Sequence, residues 1–420
     1  MTSPGSLTFD ITIHTLTYGG EALGRLPDGK AIFVPFALPG ERVRVRVVEE
    51  KRGHARADLL EVLEASPDRI RPLCMHYSVC GGCHYQHMQY EAQLVAKAAI
   101  LKDQFERIGK LTAPNIRATV PAAHFYYYRN YVQFHLTAEG KLAYFKFRPE
   151  EPFAVQECHL PEPAINMVWP QMEFESETAV ERIGLRQGAG EEVQLILEGT
   201  ELQPPEFRVE DLPLSAVHLS PAGALVLAGS EHVTMEVSGR LFRVSAGSFF
   251  QVNIPMAEAM VDHLLAHLSL SPDSTVMDLY CGAGLFSAFL APRVGRLVGV
   301  EASPSAALDF ELNLAEYDHV ELYEAAVEEV LPYLKLRPDV IVADPPRAGI
   351  DRRSLEAILA LQPAELAYVS CDPATLARDG RRLSEGGYEL RHVTPFDLFP
   401  QTYHIESISF WVPRAKSIGL

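Results

Sequence analysis

The order of hydrophobic and polar positions divides the chain into stretches of different period. Between residues 7 and 63 the apolar residues come in short groups, Ile32-Phe-Val34 and Val43-Arg-Val-Arg-Val-Val48. Turn signals at Gly19-Gly20, Pro27-Asp-Gly29 and Pro39-Gly40 separate them, which predicts a small β-barrel. In 43–47 the valines point one way and the arginines the other. Residues 64–89 are Cys/His-rich and turn-like. Helical spacing follows at 90–109, where Leu94, Ala98, Leu101 and Phe105 precede Gly109. From about 112 to 245, runs such as Tyr131–Leu136 and Val193–Leu197 predict a β-rich region. After Phe249 strands at 275–279, 297–301, 320–323, 339–343, 366–371 and 407–412 alternate with helices at 254–268, 285–293, 304–316 and 351–360. That alternation predicts a parallel, doubly wound α/β sheet, whose ligands bind beyond the carboxyl ends of its strands.

A chain of 420 residues exceeds one ordinary core, so two or three domains are expected. Its 47% hydrophobic and 22% charged content fits a globular protein. No apolar run reaches the roughly 20 residues that span a bilayer. The N-terminal residues show neither a basic segment nor an apolar one, so the expected location is the cytoplasm. The formal net charge of −18 argues against indiscriminate binding of polyanions. The charge is uneven, however. Residues 171–236 hold thirteen acids and three bases, whereas 42–56 hold Arg42, Arg44, Arg46, Lys51, Arg52 and Arg56 against Glu49 and Glu50. A basic face on an oligonucleotide-binding barrel and a solvated edge strand both fit the second stretch.

The chemistry concentrates after residue 278. Asp278-Leu-Tyr-Cys-Gly-Ala-Gly284 ends a strand and opens a helix, and Gly282 and Gly284 allow close approach of backbone to ligand. A dinucleotide fingerprint would place glycine at 287, where Ser287 stands. With Glu301 at the end of the next strand to receive ribose hydroxyls, the loop favours S-adenosylmethionine over a nicotinamide dinucleotide. Cys371 leaves its strand into Asp372-Pro373, a helix-opening turn of the kind that lowers a thiol pKa. Glu406 approaches the last strand as a candidate general base. One thiolate and one base are what methylation at carbon 5 of uracil requires.

The other cysteines are Cys281 in the cofactor loop and a set spaced Cys74-x5-Cys80-Gly-Gly-Cys83 with a distant Cys158. That spacing admits an iron–sulfur cluster, and it also admits zinc, with His76, His84 and His159 nearby.

Five motifs then carry a resemblance over nearly the whole chain: Ser248-Phe-Phe-Gln-Val-Asn253, the 278–284 loop, Asp344-Pro-Pro-Arg347, Ser370-Cys-Asp-Pro-Ala-Thr-Leu-Ala-Arg-Asp379, and Phe399-Pro-x-Thr-x-His-x-Glu406. The chain resembles the S-adenosylmethionine-dependent RNA 5-methyluridine methyltransferases, in particular their iron–sulfur-containing 23S rRNA branch. The resemblance implies a TRAM barrel over 1–63 and a central β-rich domain over 64–89 and 112–245. It implies a Rossmann-like methyltransferase domain over 90–111 and 246–420. It also implies that Cys74, Cys80, Cys83 and Cys158 hold a [4Fe-4S] cluster. By the same resemblance Gln251, Tyr280, Gly282, Gly284, Glu301 and Asp344 contact S-adenosylmethionine, Cys371 is the nucleophile and Glu406 the base. The implied partner is RNA, 23S rRNA first and tRNA second, with no membrane, and the expected state is a monomer. An idle RNA-binding or redox-sensing iron–sulfur protein is the reading from outside the enzyme class. Tyr126-Tyr-Tyr-Arg-Asn130 matches a family segment near the RNA, and also reads as a strand with core aromatics. Three positions depart from the family. Asp372 stands in place of asparagine and would raise the Cys371 pKa unless paired, with Arg378 as the expected partner. Leu285 and Ala326 replace polar residues.

Overall fold

The structure is a computed structural model that describes residues 7–148, 150–175, 178–190, 192–203 and 214–415. The outer ends of the domains expected over 1–63 and 246–420, and part of the central domain, lie outside the described residues.

Five strands from Thr8–Leu16 to His54–Glu64 close into a barrel, with Thr8–Leu16 pairing both Glu21–Arg25 and Arg42–Glu50. The barrel over 7–63 is borne out. The strand Arg42–Glu50 is not an edge strand, because His54–Glu64 pairs its other side. Val43 and Val45 are buried inside. The arginines opposite them are paired with acids of neighbouring strands: Arg44 with Asp10 and Glu61, Arg46 with Asp58, and Arg42 with Glu64. The basic stripe is therefore neutralised by its cross-strand neighbours.

The helix Tyr90–Arg107 buries Gln93, Lys97, Ile100, Leu101, Gln104 and Phe105. Leu101 and Phe105 lie on the predicted apolar stripe. Leu94 and Ala98 are half-buried, because the buried face is rotated by one residue to take in Gln93 and Lys97. The helix packs against the helix Pro373–Glu385. A seven-stranded sheet follows, running from Gly223–Ala228 at one edge to Pro152–Ala154 at the other, with a separate hairpin of His232–Val237 and Arg240–Ser245. The Tyr126–Arg129 segment is not a strand, and of its tyrosines only Tyr128 is fully buried.

The C-terminal sheet is ordered Val320–Glu324, Arg296–Glu301, Thr275–Leu279, Val340–Ala343, Glu365–Ser370, Glu406–Pro413, Tyr388–Phe396. The first five strands are parallel, as predicted. Glu406–Pro413 runs against its neighbours on both sides, pairing antiparallel with Glu365–Ser370 and with Tyr388–Phe396, so the sheet is not wholly parallel. The helix Pro373–Glu385 and the strand Tyr388–Phe396 lie in a stretch where the periodicity predicted neither. Strand order reverses between Thr275–Leu279 and Val340–Ala343, which opens a crevice beyond their carboxyl ends. No helix among the described residues is long and apolar enough to cross a membrane.

Candidate active site and cysteine pocket

A cavity of about 840 Å³ fills that crevice. Gln251, Tyr280, Gly282, Glu301, Asp344, Cys371 and Glu406 all line it. Gly284 stands behind the loop instead. Its φ is +89°, and a Cβ there would meet Leu314 Cδ1 at 2.5 Å, so it serves the turn and the helix packing. Gly282, at φ +54°, has open space where a side chain would project. Its amide donates to Glu301 Oε2 at 2.8 Å, and the Ser303 amide donates to Oε1 at 2.7 Å. These bonds orient the Glu301 carboxylate at the strand end and leave lone pairs for a ligand. Asp278 lies below the cavity floor, fully buried, where Ser287 Oγ donates to it at 2.6 Å. Ser287, the residue that breaks the dinucleotide fingerprint, thus has a structural partner. Leu285 and Ala326, the apolar departures, both line the cavity.

The motif around Gln251 is fixed by its neighbours. Ser248 Oγ donates to Asp309 Oδ2 at 2.6 Å, and Asn130 Nδ2 donates to the Gln251 carbonyl at 3.0 Å. Asn253 caps the helix Ile254–His267 through the Met256 amide. Its side-chain nitrogen donates to the Leu398 carbonyl at 3.1 Å, which ties this motif to the loop that carries Glu406.

Cys371 sits between the strand Glu365–Ser370 and the helix Pro373–Glu385. Its thiol is not acidified by the turn. Burial, with Glu406 and Asp344 beside it, pushes it up to about 12 against the opposing Arg347 charge. Desolvation and two nearby carboxyls outweigh what a helix terminus supplies. Glu406 is itself pushed up to about 8 by burial and by Asp344, against Arg347 and Lys97. Burial raises Asp344 to about 7.

Arg378 is not the partner of Asp372, because it bonds Asp379 and the Ala348 carbonyl. Asp372 instead caps the helix, accepting from the Ala374 and Thr375 amides, while Tyr18 Oη from the barrel donates to its Oδ2 at 2.8 Å. A carboxylate and an amide oxygen both suit that capping position, so the departure leaves the turn intact.

The loop 397–406 is anchored from a distance. Fully buried Lys97 pairs with Asp397 and donates to the Phe399 carbonyl at 3.1 Å. Gln93 bonds both the side chain and the amide of Gln401, and Tyr128 Oη donates to the Pro400 carbonyl at 3.1 Å. Lys97 and Gln93 were not singled out from the sequence, and their one signal was polar residues at the buried phase of a helix; Tyr128 lies in the Tyr126–Asn130 segment that the sequence did mark.

A second cavity of about 510 Å³ is lined by Cys74, Cys80, Cys83 and Cys158, together with His76 and His159. His84 packs away from it, edge-on to Tyr403 at 4.6 Å between ring centroids. No three of the four sulfur atoms lie within 4.8 Å of one another.

Residues 227–413 match the family model of tRNA (uracil-5-)-methyltransferases, and residues 7–60 match that of the TRAM domain. An uncharacterized RNA methyltransferase of Halalkalibacterium halodurans is 36% identical, over 95% of this chain and 96% of its own length. One from Aquifex aeolicus is 35% identical, over 95% and 97%. Among solved structures, the tRNA (uracil-54, C5)-methyltransferase of Pyrococcus abyssi, in complex with S-adenosyl-L-homocysteine, superposes with a TM-score of 0.74. It is 23% identical, and the match covers 96% of this chain and all of that one. By these matches the chain belongs to the RNA (uracil-5-)-methyltransferase family, as an enzyme with an N-terminal TRAM barrel.

Proposed function

We propose that this enzyme moves a methyl group from S-adenosylmethionine to carbon 5 of a specific uridine in 23S rRNA. The observation that carries the reading is the meeting of one cysteine and one buried carboxyl, Cys371 and Glu406, on the same cavity as the Gly282 loop. S-adenosylmethionine supplies an electrophilic methyl on a sulfonium. Glu301, Gln251, Tyr280 and Asp344 are the residues proposed to hold it. The Cys371 thiolate adds to carbon 6 of the uracil, and the electrons of the 5,6 double bond pass to the carbonyl oxygen as an enolate. Carbon 5 becomes nucleophilic and would take the methyl, the sulfur–methyl bond breaking with its electrons left on sulfur, so that S-adenosylhomocysteine departs. The Glu406 carboxylate removes the carbon 5 proton, the carbon–sulfur bond breaks, and the double bond and thiolate return. Near neutral pH the resting thiol and the Glu406 acid both keep their protons. A cationic donor beside Asp344 and Glu406 lowers both, so the nucleophile is generated when substrates are in place. The ring must leave its stack to reach the cavity, so the target is flipped or unpaired.

We also propose that Cys74, Cys80, Cys83 and Cys158 hold a [4Fe-4S] cluster. Four thiolates around one zinc would stand about 3.8 Å apart, given zinc–sulfur bonds of about 2.3 Å. A cuboidal cluster with an iron at each ligand corner spreads its four thiolates wider. Iron and sulfide analysis of anaerobically purified protein should give four of each per chain. Zinc in their place would overturn the assignment.

The family description and the Pyrococcus fold likeness support tRNA as the second reading. Labelled methyl transfer to unmodified 23S rRNA and to tRNA transcripts separates the two, with Cys371→Ala as control. Label in rRNA that vanishes in the variant is the expected result. Label in tRNA alone would reverse the substrate.

A further inference from the structure

Away from both cavities, three histidines converge where the helix Ile254–His267 meets the edge strand Tyr388–Phe396. One ring nitrogen from each of His263, His267 and His392 lies within 4.8 Å of the other two. The ring centroids are 4.2 Å apart for His263 and His267, 4.8 Å for His267 and His392, and 5.9 Å for His263 and His392. None of the three lines the active-site cavity or the cysteine pocket. His263 and His267 are four residues apart on one helix, so they share a face.

The hydrogen bonding leaves nitrogen lone pairs for a ligand. His267 Nδ1 donates to the His263 carbonyl at 2.8 Å, which fixes its tautomer and leaves Nε2 as the electron-pair donor. Nε2 of His263 and Nε2 of His392 are buried with no hydrogen-bond partner among the described residues. His392 is 6% exposed. Phe396 and Phe410 wall the group, at 5.3 Å from His263 and 4.8 Å from His392. Two orphaned ring nitrogens behind an aromatic wall cost the fold free energy unless something binds them.

We propose that His263, His267 and His392 form a binding site for a divalent first-row transition ion, zinc foremost. Imidazole is a preferred ligand of that class, and three histidines leave a fourth position for water. Calcium and magnesium require oxygen ligands, which the trio does not offer. One neighbour opposes the ion. The exposed Arg117 places Nη1 at 2.8 Å from His267 Nε2 and holds that lone pair. The guanidinium must swing away for metal to enter, so Arg117 acts as a competing cation and sets the affinity. Once bound, the ion ties the helix Ile254–His267 to the edge strand of the catalytic sheet.

The test is titration of anaerobically purified full-length protein with Co²⁺ as a spectroscopic probe, followed by Zn²⁺ competition. In the difference spectrum against cobalt-free protein, we expect one equivalent of added d–d bands, no added thiolate-to-cobalt band, and displacement by zinc. His267→Gln, at a half-exposed position, and His392→Gln should each weaken binding by roughly tenfold or more. Arg117→Gln should tighten it. Thermal melts of the metal-free variants establish that they are folded. A cobalt site that survives His267→Gln in folded protein, or a difference spectrum carrying thiolate bands alone, overturns the proposal.

Discussion

The enzyme keeps its cysteines in two settings, and the contrast shows how surroundings assign a thiol its task. Cys371 stands at a strand end with Glu406 and Asp344 for neighbours. Burial first, and the two carboxyls second, make its thiolate expensive at rest, and a cation beside it eases that cost. Cys74, Cys80, Cys83 and Cys158 stand on loops around a separate cavity, which all four line. There the thiols gather as a set, and each has its meaning only with the other three. The first setting suits a nucleophile that must leave again, and the second suits ligands that stay.

The widest separation between the two settings comes from single replacements in each. Cys371→Ala should abolish methyl transfer while iron content stays unchanged, and Cys83→Ser should lose iron and leave a measurable transfer rate. Measuring both quantities on both variants is the check, and equal loss of transfer would erase the contrast. Glu406→Gln comes next. We expect a fall of about 10²- to 10⁴-fold in turnover. A covalent RNA–protein adduct should accumulate, visible on denaturing gels, because elimination lacks its base.

The same variant sharpens the electrostatic side. Glu406 is raised from 4.5 to about 8 in the folded protein, so the folded state holds a proton that the unfolded state has released. Stability from this group is present in full below pH 4.5 and is lost as pH rises toward 8. Glu406→Gln should therefore melt higher than the parent at pH 8 to 9 and similarly at pH 5. A smaller effect is expected in the thiol itself. Iodoacetamide should label Cys371 at a pH lower by about one unit with S-adenosylmethionine bound than with neutral S-adenosylhomocysteine, since the sulfonium carries the charge. Smallest is Tyr18→Phe, which removes the barrel's bond to Asp372 and should cost about 1–2 kcal/mol in urea unfolding.

Local rules made parts of this molecule legible and long-range ones hid others. The four inner parallel strands are largely apolar runs and the outermost, Val320–Glu324, alternates, and helices lie between them, so their period announced them. The strand Tyr388–Phe396 carries charged residues and Pro395, which reads as a breaker, yet a proline is tolerated on an edge strand. The helix Pro373–Glu385 looks polar because Asp379 and its arginines dominate it. Asp379 is fully buried, meeting Tyr368 and Arg378. Cys371 and Glu406 were visible because motif residues at strand ends share one edge. Lys97, Gln93 and Tyr18 were not, because each meets its partner some 300 residues away, where no local pattern points. The arginines of 42–46 erred the other way. Alternation gave their face correctly, but the acids opposite them belong to other strands.

The Lys97–Asp397 pair also sets a clock. Its two members are 300 residues apart, and both are fully buried in the finished fold. At synthesis rates of about 5–20 residues per second, the lysine emerges roughly 15–60 s before its aspartate exists. Through that interval the helix Tyr90–Arg107 cannot settle its inner face without burying a lone charge. The active-site loop and the helix that anchors it therefore lock together only after residue 397 has been made.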